Sequence, residues 1–288
     1  MNEYVIFTDS ASDIKPELLA QWGVSCASLT FRFEGEGVEY KNDEMTSADF
    51  YAKMREGGIA KTSAINAAVF ESGFEEILAE GKDILYLGFS SGLSTTSNSA
   101  RIAAKQLAAK YPERRIVIID TLCASAGQGM VVYFASEKQK GGASIDENEK
   151  YIRALLPHIC HWFTVDDLVY LKRGGRVSPA AAFFGNALGI KPVLHVDNEG
   201  HLTAVSKVRG RRSAIVELAL KYGEFAKEPG AMPVFVSHGD CMADVRLLEK
   251  ELADRYGAKL DIITDVGPVI GAHSGPGTLA LFFIGKER

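Results

Sequence analysis

Ile84-Leu85-Tyr86-Leu87-Gly88-Phe89 runs straight into Ser90-Ser91-Gly92-Leu93-Ser94-Thr95-Thr96, and an alanine-rich stretch follows to Lys110. The apolar run has the length of a buried strand, the hydroxyl-rich turn breaks it, and the stretch beyond has the length of a helix. Tyr4 to Phe7 and Ile116 to Ile119 repeat this order, each ahead of a polar turn and a helix-like segment. A recurring strand, turn and helix is the mark of parallel βα units, so the first half reads as one doubly wound sheet.

Working outward, helices are expected at Ser47 to Glu56, Ala68 to Glu80, Ser94 to Lys110, Ala124 to Lys140 and Ser144 to Leu156, the last opening with capping chemistry. After Pro157 the pattern changes. His161 to Val165, Ile190 to Val196 and His201 to Val208 are strand-like, and Asp197-Asn198-Glu199-Gly200 between the last two has hairpin-turn chemistry. Helices at Ser213 to Phe225 and Cys241 to Tyr256 flank the strand Pro233 to Ser237, and strands Lys259 to Thr264 and Thr278 to Ile284 close the chain. The expectation is an α/β fold with a parallel-sheet domain over 1–157 and a smaller domain with a mixed or antiparallel sheet over 158–288. Ligands commonly bind between two such units or at the carboxyl ends of parallel strands.

The 288 residues are 47% hydrophobic and 24% charged, a globular composition with ample material for an internal ligand site. A net charge of -5 argues against a nucleic-acid partner, which needs a broad basic face. Cys26, Cys123, Cys160 and Cys241 lie far apart, so neighbouring cysteines build no zinc or redox motif, and no metal is expected. The chain enters Tyr4-Val5-Ile6-Phe7 without a secretory leader, and no apolar run reaches membrane-spanning length. A cytoplasmic protein is expected, with at most transient membrane contact.

The turn from Gly88 to Thr96 carries most of the chemistry. A helix start exposes unpaired N–H donors and a partial positive charge, which favour a carboxylate or phosphate. Ser and Thr there are also ordinary helix caps. Gly88 to Gly92 fits G-x-S-x-G as well, the nucleophile-elbow pattern. A serine hydrolase is therefore the rival reading, with Ser90 as nucleophile, Asp240 or Asp265 as acid and His238 or His273 as base; no HGGG-like oxyanion segment accompanies it. Lys61-Thr62-Ser63 and Thr8-Asp9-Ser10-Ala11-Ser12-Asp13 read as two further hydroxyl-rich turns, and convergence of the three would make a binding site. Basic residues cluster at Lys172-Arg173-Gly174-Gly175-Arg176 and Lys207-Val208-Arg209-Gly210-Arg211-Arg212, which points to a local partner surface. Gly271-Ala272-His273-Ser274-Gly275-Pro276-Gly277 places His273 in what reads as a glycine-rich loop. No P-loop and no G-x-G-x-x-G after a strand is present.

Val5 to Asp13, Lys61-Thr62-Ser63, Ser90 to Ser94, Leu171 to Ser178, Lys191-Pro192, Lys207 to Arg211 and His273 to Gly277 together resemble, in order, the signature blocks of the DegV family. The resemblance spans nearly the whole chain. It implies a two-domain carrier in which an EDD-type domain and a smaller C-terminal domain enclose one long-chain fatty acid, such as palmitate, stearate or oleate. It implies further that Thr62 and Ser94 hold the carboxylate, with Ser63, Ser91 and His273 as accessory contacts. By the same resemblance the chain is not an enzyme and has neither a catalytic residue nor a cofactor. It resembles the non-catalytic acyl-binding subunit of bacterial fatty-acid kinases, so the implied partner is an ATP-binding kinase subunit, with Arg173 and Arg209 in the docking patch. Two departures stand out: Ala64-Ile65 and Thr95 occupy positions where the family often carries other residues, including a glycine at Thr95.

Overall fold

The computed structural model describes residues 3–177 and 189–288; Ser178, the last residue of one signature block, lies outside them. Strands β1 (Tyr4–Asp9), β2 (Val24–Ala27), β6 (Asp83–Gly88) and β7 (Ile116–Asp120) form a parallel sheet in the order β2-β1-β6-β7. All six residues of β6 are buried, as expected of a central strand covered on both faces. Its crossover helices are α1 (Pro16–Gln21), α3 (Ala67–Ala79) and α4 (Thr96–Lys110), and α5 (Ala126–Lys140) and α6 (Ile145–Leu155) follow β7. Ser144 and Glu147 close a reciprocal capping box on α6, so the acidic opening read from the sequence is its N-terminus.

One part of the first half departs from the sequence reading. A separate antiparallel sheet, ordered β4-β3-β5, is built from β3 (Thr30–Phe33), β4 (Tyr40–Lys41) and β5 (Ala60–Ser63), and it packs beside α2 (Ser47–Arg55). Lys61-Thr62-Ser63 is therefore strand and not turn. β5 is a short edge strand with no fully buried residue, so it lacks the apolar signal that marks the others.

The second half is a mixed sheet ordered β10-β9-β8-β13-β11-β12, antiparallel except for the last pair. Its strands are β8 (Ile159–Thr164), β9 (Ile190–Val196), β10 (Leu202–Arg209), β11 (Val234–His238), β12 (Ile262–Asp265) and β13 (Leu279–Ile284). The helices are α7 (Val169–Arg173), α8 (Arg211–Phe225), α9 (Met242–Tyr256) and α10 (Pro268–Ser274). The β9–β10 hairpin turns through Asp197 to Gly200, where Asp197 Oδ1 accepts the N–H groups of Glu199 and His201 and Gly200 takes φ +80. His273 lies in the last turn of α10, not in a loop. The glycine at position 271 serves close packing there, because a Cβ would run into the Tyr51 ring and hydroxyl.

One hydrophobic cluster runs through both halves: Ile6, Leu87 and Ile119 of the parallel sheet and Val131 of α5 join Phe163, Phe235 and Phe282 of the mixed sheet.

Candidate functional site

A cavity of about 380 Å³ lies where the two sheets meet. Its deep wall is a face of the mixed sheet. Thr278, Ala280 and Phe282 succeed one another at alternate positions, and the register sets Ser237 and Phe163 on either side of Ala280 and His161 beside Phe282. Helix α10 contributes Val269, Ile270, His273 and Ser274, one face at helical spacing. The parallel-sheet half contributes Phe89, the turn from Ser91 to Thr95, and Thr62 with Ser63 and Ala64. Burial runs from exposed residues such as Ser91 and Thr95 at the mouth to fully buried ones at Phe282 and Ser237.

Thr62 is delivered by pairing with Phe31 across β3 and β5, and its Oγ1 lies 2.8 Å from His273 Nε2. His273 Nδ1 is buried without a partner, packed against Gly174 where a Cβ would collide with the ring. That arrangement places the neutral ring's proton on Nε2, donating to Thr62 Oγ1, so the Thr62 hydroxyl keeps its own proton for a ligand. Burial, with Arg176 nearby adding to it, pulls His273 down to about 4. The imidazole is therefore neutral at physiological pH.

Ser94 sits two residues ahead of α4, which begins at Thr96 with Thr95 as its N-cap; the expected helix start at Ser94 moves inward accordingly. The Ser94 amide donates to Ser90 O at 3.1 Å, and its hydroxyl lies 2.9 Å from Thr96 Oγ1 and accepts the Thr96 amide. The turn is anchored from behind by buried Asp9, which accepts from the Phe89 amide at 3.0 Å and the Tyr86 hydroxyl at 2.6 Å. Burial pushes the Asp9 carboxyl up, opposed by these hydrogen bonds. The Thr8–Asp13 segment thus supports the site without lining it. Of the three hydroxyl-rich segments, those of Thr62 and Ser94 meet at the cavity.

Ser63 and Ser91 line the exposed mouth; Ser63 donates to Glu39 at 3.2 Å, and the Ser91 amide donates to Asp120. Arg176 lines it too, with its Nε donating to Leu93 O at 3.3 Å. From the sequence alone Arg176 was only a member of a basic cluster. Arg173, at the exposed end of α7 over the Tyr170 ring, and Arg209, exposed at the end of β10, stand outside the cavity. Of the family-atypical positions, Thr95 and Ala64 are exposed at the mouth and Ile65 is buried in the parallel-sheet core.

Ser90 is fully buried, and its hydroxyl donates to the Gly200 carbonyl at 2.8 Å, tying the turn to the hairpin tip. His238 faces Asp265 at 3.7 Å, and His273 is engaged by Thr62. Among the described residues the geometry provides Ser90 with no base, which removes the physical basis of the hydrolase reading. Among the described residues, no group of three or more His, Cys, Asp or Glu could hold a metal ion, and no helix is long and apolar enough to cross a membrane.

An α/β chain with a parallel sheet, a mixed sheet and a hydroxyl-rimmed cavity where they meet matches the model described as "Uncharacterised protein, DegV family" over residues 3–286. The chain belongs to the DegV family. It is 40% identical over 289 residues to the DegV domain-containing protein CPE0026 of Clostridium perfringens, covering 100% of this chain and 99% of that protein. Among solved structures, a DegV family protein from Thermus thermophilus, described by its fatty-acid binding, superposes with a TM-score of 0.88 at 31% identity and covers 98% of this chain and 99% of its own. A stearic-acid-binding protein from Eubacterium ventriosum superposes with a TM-score of 0.88 at 26% identity and covers 98% of each chain.

Proposed function

We propose that this protein is a carrier that encloses one long-chain fatty acid, its carboxylate held by Thr62 and Ser94 with Ser63, Ser91 and His273 around them. The observation that carries the reading is the Thr62–His273 pair, which leaves a hydroxyl proton free at the mouth of a cavity whose interior is mostly apolar. A buried carboxylate needs such donors to offset its lost hydration. At roughly 30 Å³ per water-sized group, 380 Å³ accommodates about a dozen such groups, enough for much of an acyl chain. A dozen buried methylenes contribute on the order of 10 kcal/mol of gross transfer free energy. The fatty acids named for the Thermus and Eubacterium relatives support the same class of ligand.

In this reading residues 1–157 and 158–288 form the two halves of the carrier, and the chain presents its ligand to a separate ATP-binding kinase subunit. The exposed guanidinium groups of Arg173 and Arg209 support a docking role, because they sit outside the cavity on elements that also help to build it. The test is organic extraction of protein purified from a heterologous host, followed by mass spectrometry. Stoichiometric fatty acid is the expected result; a ligand-free protein that also fails to bind added palmitate or oleate would overturn the reading.

A further inference from the structure

A plain alkyl chain asks nothing of its tunnel but apolar contact, and each polar side chain facing it loses hydration without return. The deep part of this cavity is nevertheless lined by Ser125, Ser237, His161 and Ser274, none more than 5% exposed. These residues are distinct from the carboxylate site at the mouth.

Their protons can be assigned. Ser125 Oγ lies 2.5 Å from Asp13 Oδ2 and 2.8 Å from Ser237 Oγ, but a hydroxyl has one proton to give. Burial pushes the Asp13 carboxyl up to about 7, so in mildly alkaline solution it is ionised and can only accept. Ser125 then donates to Asp13, Ser237 donates to Ser125, and the lone pairs of Ser237 Oγ remain. Ser125 is fixed in this role by its backbone, held at φ 53 and ψ -146 while its N–H donates a hydrogen bond to Ala11 O at 2.8 Å.

His161 is satisfied on both sides: its Nδ1 lies 3.2 Å from Ile159 O and so carries the ring proton, while Nε2 accepts the Ala124 amide at 3.4 Å. Burial holds the ring neutral. Ser274 Oγ has no partner. The deep wall therefore offers the lone pairs of Ser237 Oγ and the unpartnered hydroxyl of Ser274, and a hydroxyl carried on the chain, able both to donate and to accept, complements both.

We infer that the acyl chain this cavity is built for bears a hydroxyl group along its length, received by the Ser125–Ser237 pair: the ligand class is a hydroxylated long-chain fatty acid. The inference rests on the fatty-acid reading above and narrows it. A keto group at the same carbon is isosteric but can only accept, so the wall distinguishes the two.

The test measures the affinity of the full-length protein at pH 8.5 for stearate, for a positional series of monohydroxystearates and for the matching ketostearates. The expected result is that at least one hydroxystearate binds as tightly as stearate and its keto counterpart roughly tenfold more weakly, as buried acceptors facing an acceptor require. Ser237→Ala should lower the ratio of hydroxystearate to stearate affinity by about tenfold. Ser274→Ala removes an unpartnered hydroxyl and serves as a second variant should Ser237→Ala fold poorly, with a smaller fall in the same ratio. Stearate binding with every hydroxystearate at least tenfold weaker would overturn the inference alone. Failure to bind stearate as well would overturn the fatty-acid reading and this inference with it.

Discussion

Replacing Thr62 by Val removes one hydroxyl while keeping the branched shape that suits β5 and its pairing with Phe31. In the reading developed above, Thr62 receives the His273 Nε2 proton across 2.8 Å and donates its own to the ligand carboxylate. A hydrogen bond to a charged group contributes about 1.5–3 kcal/mol, so palmitate affinity should fall roughly 10- to 100-fold. Hexadecanol offers a neutral partner at the same place, where the bond contributes only about 0.5–1.5 kcal/mol. The gap between acid and alcohol should therefore narrow by about five- to tenfold. Displacement of a fluorescent fatty acid by each ligand measures the gap, and thermal melting of the same samples reports on the fold. If both ligands weaken equally while Tm drops, Thr62 is a structural strand residue and the carboxylate lies elsewhere.

Ser90→Ala should cost about 0.5–1.5 kcal/mol of stability through the lost bond to Gly200 O; denaturant unfolding measures this, and a fluorophosphonate probe that labels wild-type Ser90 would restore the hydrolase reading. Arg173→Glu and Arg209→Glu should each slow acyl phosphate formation by an added kinase subunit about tenfold while leaving palmitate affinity within about twofold; parallel loss of both would make these residues structural. Asp13→Asn should reveal a pH dependence. Burial raises the carboxyl from 3.8 to about 7, so the site's contribution to stability is full below pH 4 and is lost as pH rises through 7. The amide imitates the protonated form, so the variant should match wild type near pH 4 and exceed it near pH 8 by at most about 4 kcal/mol. His273, held down to about 4, acts in the opposite sense, its contribution full above pH 6.5 and lost as pH falls towards 4. Only the difference between variant and wild type isolates Asp13, and a difference that does not change with pH would contradict its assignment.

Much of the fold was legible because its central strands declare themselves. Tyr4 to Asp9, Asp83 to Gly88 and Ile116 to Asp120 are apolar runs followed by polar turns, and Asp197 supplies the side-chain acceptor that a tight hairpin needs. Thr62 and Ser94 were singled out by family resemblance, since a hydroxyl before a helix is equally a cap. The strand under Thr62 was not legible: Lys61 and Ser63 are exposed, and only antiparallel pairing with Thr30 to Phe33 orders them. Helix α10 was hidden by its glycines. Gly271 lowers helical propensity yet is required by the approach of Phe50 and Tyr51, a contact between residues more than two hundred positions apart.

The deep wall was illegible for a different reason. Every residue of β8 and of β13 is buried, so alternation of polar and apolar residues cannot say which side chains face the cavity and which face the helices behind. Only register resolves it, by setting Ser237 and Phe163 beside Ala280 and His161 beside Phe282. The same burial constrains how the cavity works. The cluster joining Ile6, Leu87 and Val131 to Phe163, Phe235 and Phe282 crosses from one sheet to the other, and parting the sheets would return it to water at about 25 cal/mol per Å² of apolar surface. The two halves therefore hold together as one body around the cavity. In the proposed reading the chemistry that selects a ligand is built into fixed walls, with the Thr62 hydroxyl, oriented by His273, facing the head and Ser237 facing the chain.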